Sequence, residues 1–173
     1  RAVAEIREAQ QALEALYAQV PMIACQRLCT HSCGPIGMTY LEATLIRQAT
    51  TLPMTVKSQS ITCPLLRRGA CMVYHYRPMI CRLWGVIASL PCPHACRPER
   101  MLTEDEANQL LTATFTLSAQ MFPGKPHHHT HDKAARMALA IRSAQDLTER
   151  RMFWIPTLER LKEVSEEPIS FEG

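Results

Sequence analysis

The sequence is poor in aromatic residues and in glycine, and it contains no long apolar run. Aromatic side chains make up 6% of the 173 residues, and there are only six glycines. No uninterrupted apolar run reaches the roughly 18 residues of a transmembrane helix, so a membrane protein is not expected. The first residues carry charges throughout and lack the apolar centre of a secretory signal. We therefore expect a cytoplasmic protein, although the absent initiator methionine leaves a removed leader open.

Acidic residues are almost absent from the middle of the chain. Residues 57–100 hold seven basic residues and one acid, Glu99, so the net charge of +3 for the whole chain conceals a local excess of +6. The usual general bases are therefore missing there, and the chain has neither a glycine-rich phosphate loop nor a Ser-His-Asp order. An enzyme is not the expected outcome.

Eight cysteines stand out against this background. Five of them fall within residues 57–100, and the other three lie close together from Cys25 to Cys33. In a reducing compartment, clustered cysteines favour metal ligation over disulfides. Six of the twelve prolines lie between residues 52 and 98, where long regular elements are consequently not expected. Metal ligation is the natural means of holding such a segment together.

Helical patterns lie on the two sides of this segment. Apolar side chains recur at helical spacing near the N-terminus, and Thr39 with Glu42 has the spacing of a capping box, as does Thr103 with Glu106. The predicted helices are residues 2–19, 40–50, 103–122, 132–153 and 158–164.

The predicted fold class is mostly α, with helices packed around an irregular, proline- and cysteine-rich metal-binding centre. We expect a single domain over residues 1–173. Its predicted parts are a helical N-terminal arm at 1–20, a metal-binding core at about 22–100 and C-terminal helices at 103–165.

The cysteine spacings indicate a metal without choosing which one. Cys25, Cys29 and Cys33 are four residues apart, and such residues share a face of a helix, so two sulfurs could reach one ion. None of the spacings is the C-x2-C pair of zinc ribbons. The remaining spacings are Cys63-x7-Cys71, Cys71-x9-Cys81 and Cys92-x3-Cys96.

The arginines near these cysteines suit the charge of a thiolate site. Four thiolates around Zn²⁺, or around an oxidised four-iron cluster, carry a charge of about −2 that needs compensating donors. Arg77 and Arg82 are expected to lie just outside the sulfur ligands and to supply them. Proline suits the first position of a helix, so a helix starting at Pro78 would place Cys81 in its first turn, where the dipole favours the thiolate.

The segment CPLLRRGACMVYHYRPMICRLWG resembles the signature of a cysteine-cluster family, named for a CxxCxxCC motif and described as zinc- or iron-chelating domains. The resemblance covers roughly residues 22–100. The N-terminal cluster departs from the family pattern, because that pattern ends in two adjacent cysteines. The matching positions are Cys63-Pro64-Leu65-Leu66, Cys71 with Tyr74 and Arg77-Pro78, and Cys81-Arg82.

The resemblance implies a cysteine-ligated metal, either zinc or an iron–sulfur cluster, since both accept tetrahedral sulfur. We slightly favour an iron–sulfur cluster of the 4Fe-4S type, because ligands from several separate segments suit its larger body. Cys25 departs from the family pattern, and Cys92 and Cys96 lie beyond the core motif, so these three could complete the set or sit apart. The implied ligands are Cys29, Cys33, Cys63, Cys71 and Cys81.

A histidine-rich tract follows the predicted helix that stops at Pro123. Such a tract could collect Zn²⁺ or Ni²⁺ as a second metal site, or it could be a solvated turn. The histidines are His127, His128, His129 and His131.

The expected function is a metal-binding protein that acts as a binding or redox-sensing module, with a protein partner that the sequence does not identify. Two alternatives stay open. In one, zinc only shapes the fold of an interaction protein whose basic surface binds a partner; nucleic acid is the less favoured partner because few aromatics accompany the arginines. In the other, the chain is a cluster-dependent oxidoreductase.

Overall fold

The computed structural model describes residues 2–26, 33–34, 36–54 and 62–130. This part of the chain is partly helical with little sheet, in agreement with the coarse fold class. No helix within it is long and apolar enough to cross a membrane. In chain order, the elements are α1 (Ala2–Tyr17), β1 (Gly37–Met38), α2 (Tyr40–Ala49), β2 (Leu66–Arg67), β3 (Ala70–Cys71), α3 (Met79–Arg82), α4 (Glu104–Met121) and β4 (His128–His129).

Helices α2 and α4 begin at the two capping boxes that the sequence predicts. Thr39 accepts a hydrogen bond from the Glu42 amide, and the Glu42 carboxylate accepts one from the Thr39 amide. Thr103 and Glu106 make the same reciprocal pair at the start of α4. These bonds satisfy amides that the first turn of a helix leaves without an intrahelical partner, so both helix starts are determined locally.

The described core consists of three apolar clusters, with α2 between two of them. One cluster joins α1 to α2 through Ala9, Leu13 and Leu41. A second joins α3 to α4, with Met79 and Leu83 among its members. The third packs the other face of α2 against the cysteine-rich segment and includes Ile36, Met38, Ala43, Ile46, Met54, Cys63, Leu65 and Val73.

The strands are only two residues long and form two separate antiparallel pairs. In the first pair β2 and β3 form a hairpin, with Leu66 opposite Cys71. In the second, β1 pairs with β4, which places Gly37 opposite His129. His128 and His129 therefore lie in a paired strand and are half-buried, whereas a solvated turn was one of the two expectations for the tract.

The irregular middle of the chain has shorter elements than its flanks. Residues Tyr74–Tyr76 form a 3-10 turn, and α3 follows as a single turn. Pro78 is the N-cap of α3 and does not occupy its first helical position, but Cys81 still lies in the first turn, as predicted. The helices predicted at 132–153 and 158–164 lie outside the described residues.

Candidate metal centre

Six cysteines from different parts of the chain line one cavity of about 170 Å³. The rest of its lining is mainly apolar and includes Ile36, Leu65 and Trp84. The described cysteines are not joined by disulfides. The cavity cysteines are Cys25, Cys33, Cys63, Cys71, Cys81 and Cys92.

Two of these cysteines are joined through their backbones. The Cys63 amide donates to the Cys33 carbonyl at 2.7 Å, which ties the start of the hairpin segment to the N-terminal cysteine block. The Leu66 amide in turn donates to the Cys63 carbonyl at 3.1 Å and starts β2. Cys71 then ends β3 directly across from Leu66. The hairpin therefore returns Cys71 to the same cavity wall as Cys63.

Cys81 reaches the cavity from α3, and the start of that helix is held by α2. Pro78 makes no side-chain cap, but the Met79 amide donates to Glu42 Oε1 at 2.7 Å. The Cys81 amide then donates to the Pro78 carbonyl at 2.9 Å. Since Glu42 and Met79 are both buried, this contact fixes the orientation of the turn that carries the thiol.

Four of the cavity thiols affect one another's ionisation. Burial raises the pKa of Cys63 above its ordinary value of 9.0, and the adjacent Cys71 raises it further. Burial also raises the pKa of Cys81 well above 9.0. The other thiols that raise the Cys81 pKa are Cys63, Cys71 and Cys33.

A bound cation would favour the deprotonated form of these thiols, which burial disfavours. Their raised pKa values keep Cys63 and Cys81 protonated near neutral pH, so neither is set up as a reactive thiolate nucleophile. Metal ligation requires the deprotonated thiol, and the charge of the metal compensates for the mutual repulsion of the sulfurs. The donor set therefore fits a thiolate-bound metal centre better than it fits cysteine catalysis.

Arg77 lies where the sequence predicted it, just outside the candidate sulfur ligands. It lines the cavity and lowers the pKa of Cys81, opposing the effect of burial. Its Nε donates to the Tyr74 carbonyl at 3.0 Å, and its guanidinium carbon lies 3.7 Å from the centroid of the Tyr74 ring. These contacts hold the positive charge beside the thiols without an acidic partner of its own among the described residues.

Arg82 has a different position from the one expected. It does not line the thiol cavity; its guanidinium lies over the Tyr17 ring, 3.9 Å from the centroid, on the α1 side of α3. Its Nε donates to the Arg77 carbonyl at 2.8 Å, and its terminal nitrogen donates to the His75 carbonyl at 2.6 Å. Arg82 therefore holds the backbone that presents Arg77.

The sequence did not decide whether Cys25, Cys92 and Cys96 belong to the ligand set, and the structure places two of them at the cavity. Cys25 and Cys92 line the cavity. Gly85, with φ of +84°, lets these segments approach, because a Cβ there would lie 2.7 Å from Ile23 and 3.3 Å from the Cys92 Cβ. Cys96 is not part of the cavity lining and has its sulfur 3.9 Å from the His94 carbonyl. Cys29 lies outside the described residues.

The described histidines of the tract make contacts with protein groups. His127 packs edge-on against Phe115, with ring centroids 4.6 Å apart. His128 lies 3.2 Å from the Arg47 guanidinium through Nδ1 and 3.2 Å from the Met54 carbonyl through Nε2. The two ring nitrogens of His128 thus contact Arg47 of α2 and Met54 of the segment that follows α2. His131 lies outside the described residues, and a second metal site here stays a prediction.

The cavity is not arranged around a single ion. Within residues 2–26, 33–34, 36–54 and 62–130, no three His, Cys, Asp or Glu side chains lie close enough together to hold one metal ion. The cavity thiols are therefore spread around a space rather than converging on one point.

Glu42 is the residue at this site whose wider role sequence reasoning missed. Its carboxylate also accepts a hydrogen bond from the Tyr17 hydroxyl at 2.9 Å, in addition to the bonds from Thr39 and Met79. The capping-box spacing identified its bond to Thr39 only. Its contacts with α1 and α3 depend on tertiary packing, and no local signal could have revealed them.

No family model matches the chain, and neither a curated protein nor a solved structure matches it. The resemblance to the CxxCxxCC family therefore stays a prediction, supported by the residues that carry it.

Proposed function

We propose that this chain is a metal-binding protein that holds an iron–sulfur cluster, or alternatively zinc, and acts as a binding or redox-sensing module. The observation that carries the proposal is that six cysteines from separate chain segments line one largely apolar cavity. The principal ligands in this proposal are Cys33, Cys63, Cys71 and Cys81.

The protein groups around the cavity suit a thiolate-ligated centre. When bound, the metal supplies positive charge that the thiolates share, and in a cluster it can also accept or donate an electron. Arg77 supplies a neighbouring positive charge, and Glu42 orients the turn that carries Cys81. The apolar lining limits the access of water, which strengthens the electrostatic interactions within the site.

The distribution of the thiols supports a cluster over a single zinc ion. Structural zinc takes four ligands at about 2.0–2.3 Å from one point. The described side chains do not make such a group, whereas six cysteines surround a cavity of about 170 Å³. A body with several metal atoms can reach sulfurs that are spread in this way.

Cys25 and Cys92 are reserve candidates in the proposal, because they line the same cavity beside the principal four. Cys29 remains a candidate from the resemblance alone. Cys96 has no proposed ligand role, and this makes it a matched control for substitution experiments.

Anaerobic purification followed by visible absorption and metal counting tests the proposal directly. We expect thiolate-to-iron charge-transfer bands and several iron atoms for each chain. A colourless protein with stoichiometric zinc would overturn the cluster and leave the zinc alternative. A folded protein with neither metal after reconstitution with each would contradict the proposal altogether.

Cysteine substitutions identify the ligands. Cys71→Ser and Cys81→Ser should lose the metal and lower the melting temperature together, because metal binding contributes to the folding free energy. Cys96→Ser should retain both. If Cys81→Ser keeps its full metal content and melting temperature, the assignment of that ligand is wrong.

A further inference from the structure

The β2–β3 hairpin projects two arginines beside the thiol cavity. Its strands are joined by a two-residue loop, Arg68-Gly69, and Arg67 is the last residue of β2. Leu66, Gly69 and Ala70 of this hairpin line the cavity, so the hairpin forms part of the cavity wall. Both arginine side chains are exposed. The two positive charges therefore lie on an element that forms part of the cavity wall.

The conformation of Arg68 is unfavourable for its residue type. Its φ is +50°, followed by +75° at Gly69. Positive φ at both central residues is the pattern of a type I′ hairpin turn, in which asparagine, aspartate or glycine is normally preferred at the first position. A side chain with a Cβ is disfavoured in this region, and strained residues cluster at functional sites. The loop thus carries an arginine where asparagine would be the better turn former.

The described acids do not compensate these charges. Within the described parts of the chain, neither Arg67 nor Arg68 forms an ion pair; the Arg67 guanidinium donates only to the adjacent Leu66 carbonyl, at 2.9 Å. Glu99 is the one acidic residue in the whole of residues 57–100. The hairpin therefore presents positive charge that an acidic partner could complement.

An exposed apolar side chain directly follows the hairpin. Met72 follows β3 and has 57% of its surface exposed. Its amide donates to the Leu65 carbonyl at 3.0 Å, so its backbone is held against the hairpin while the side chain faces solvent. Arginine and methionine are both enriched in protein–protein interfaces.

We propose that Arg67, Arg68 and Met72 form a docking surface for an acidic protein at the edge of the thiol cavity. The positive charges steer an acidic partner and set its orientation, and Met72 supplies an apolar contact. A protein is favoured over nucleic acid because the surface has two charges and a thioether, without the aromatic side chains on which bases stack. The proposal does not depend on which metal the cavity holds, although a partner docked here would lie next to it.

Binding of a fluorescein-labelled peptide of glutamate and leucine, followed by fluorescence anisotropy, tests the surface on the full chain. The unmodified protein should bind this peptide in preference to a lysine–leucine peptide of equal length. Because exposed charge pairs contribute modestly, Arg67→Gln with Arg68→Asn should weaken binding roughly two- to thirty-fold. The difference should shrink between about 50 and 200 mM salt, since salt screens exposed charges.

Three controls separate docking from a change in fold. Arg7→Gln, which removes one positive charge from an exposed position on α1 just as Arg68→Asn removes one from the hairpin, should bind the acidic peptide as the unmodified protein does. Arg68→Asn alone should raise the melting temperature, by roughly 2–4 °C, while it weakens binding, because asparagine tolerates positive φ. Metal content is counted on every variant, so that a docking defect is distinguished from loss of the metal centre.

The peptide-binding experiment has one outcome that supports the docking surface and two that overturn it. Weaker peptide binding in the hairpin variants at unchanged metal content supports the docking surface, even if the bound metal proves to be zinc. Equal binding by the hairpin variants and by Arg7→Gln overturns it. A single-stranded oligonucleotide that binds more tightly than the acidic peptide, and loses affinity in the same variants, also overturns it in favour of nucleic acid.

Discussion

The long helices and the cysteine-rich segment of this protein are held together in different ways. In α2 and α4 the first turn is capped by its own residues, and buried leucines such as Leu13 and Leu41 join the helices. Between residues 62 and 96 the longest described helix is one turn, the strands have two residues each, and Cys63, Cys71 and Cys81 pack in or against a core cluster. The first region combines regular backbone hydrogen bonds with apolar contacts, whereas the second buries apolar side chains such as Leu65 and Leu83 but has few regular backbone bonds.

This difference indicates where a metal would contribute to the fold. A segment with short elements pays the conformational entropy of ordering without many regular backbone bonds to offset it. Thiolate–metal bonds would join distant residues and add stabilisation to this segment. The proposed metal would therefore stabilise the cysteine segment much more than the long helices.

Removal of the metal should have the largest effect and tests the comparison most directly. Structural zinc sites contribute on the order of 10–16 kcal/mol of apparent binding free energy, which becomes folding free energy. After chelation we expect the amides around Met79 and Leu83 to lose most of their protection from hydrogen exchange, while those in the middle of α4 retain theirs. Equal loss of protection in both regions would mean that they fold as one unit.

A cavity in the helical region should have the next largest effect. Leu41 is fully buried between α1 and α2, so Leu41→Ala should lower the free energy of unfolding by about 2–5 kcal/mol. Met22→Ala is the control, because the Met22 side chain is 93% exposed. Chemical denaturation measures both. If Leu41→Ala releases the metal before it unfolds, the two regions are coupled more tightly than their packing indicates.

Glu42 connects the two regions, and its substitution should have an intermediate effect. Glu42→Gln replaces one acceptor oxygen by an amide donor that faces hydrogen-bond donors, so unfolding free energy should fall by about 1–3 kcal/mol. Thr39→Ala also removes part of the α2 cap but leaves the bond to Met79. A loss of metal affinity in Glu42→Gln that is absent from Thr39→Ala would identify the Met79 contact as the link. Equal metal affinities in the two variants would contradict it.

The pH dependence of the metal-free protein should be the smallest effect, and it appears only in alkali. Cys63 and Cys81 have raised pKa values in the folded state, so their contribution to stability is complete below the unfolded value of about 9.0 and is lost as the pH rises through the folded values. Tyr17, whose pKa is raised from 10.0 chiefly by burial and then by Glu42, acts in the same direction.

Thermal unfolding at a series of pH values measures this loss. The melting temperature of the metal-free protein should be level near neutral pH and should decline above about pH 9. Tyr17→Phe should retain the decline that begins near pH 9, because that part belongs to the thiols. The metal-loaded protein should lack this thiol-dependent decline, and a decline of equal size in both forms would contradict thiolate ligation.

The sequence predicted the elements whose causes are local. Thr39–Glu42 and Thr103–Glu106 marked the starts of α2 and α4 correctly, because each capping box needs only residues three apart. Pro78 likewise marked the turn that carries Cys81, with an error of one residue.

Contacts between distant residues could not be predicted in this way. Arg82 was expected beside the thiols, but α3 is one turn long, and the direction of its side chains depends on how α1 packs beside it. The pairing of His128 with Met38 joins residues that are far apart in sequence, and the polar residues of the tract do not predict it. Cys92 and Cys96 lie only four residues apart, yet only Cys92 lines the cavity.

The amino-acid sequence by itself determined the helix starts, the supply of thiols and the excess of positive charge around them, because each depends on residue type and short spacing. Only the tertiary structure decided which thiols share a cavity and that Arg77 faces it while Arg82 faces Tyr17. It also decided that a buried carboxylate on α2 holds the turn of Cys81. These features depend on the packing of separate segments, whose relative positions no local spacing encodes.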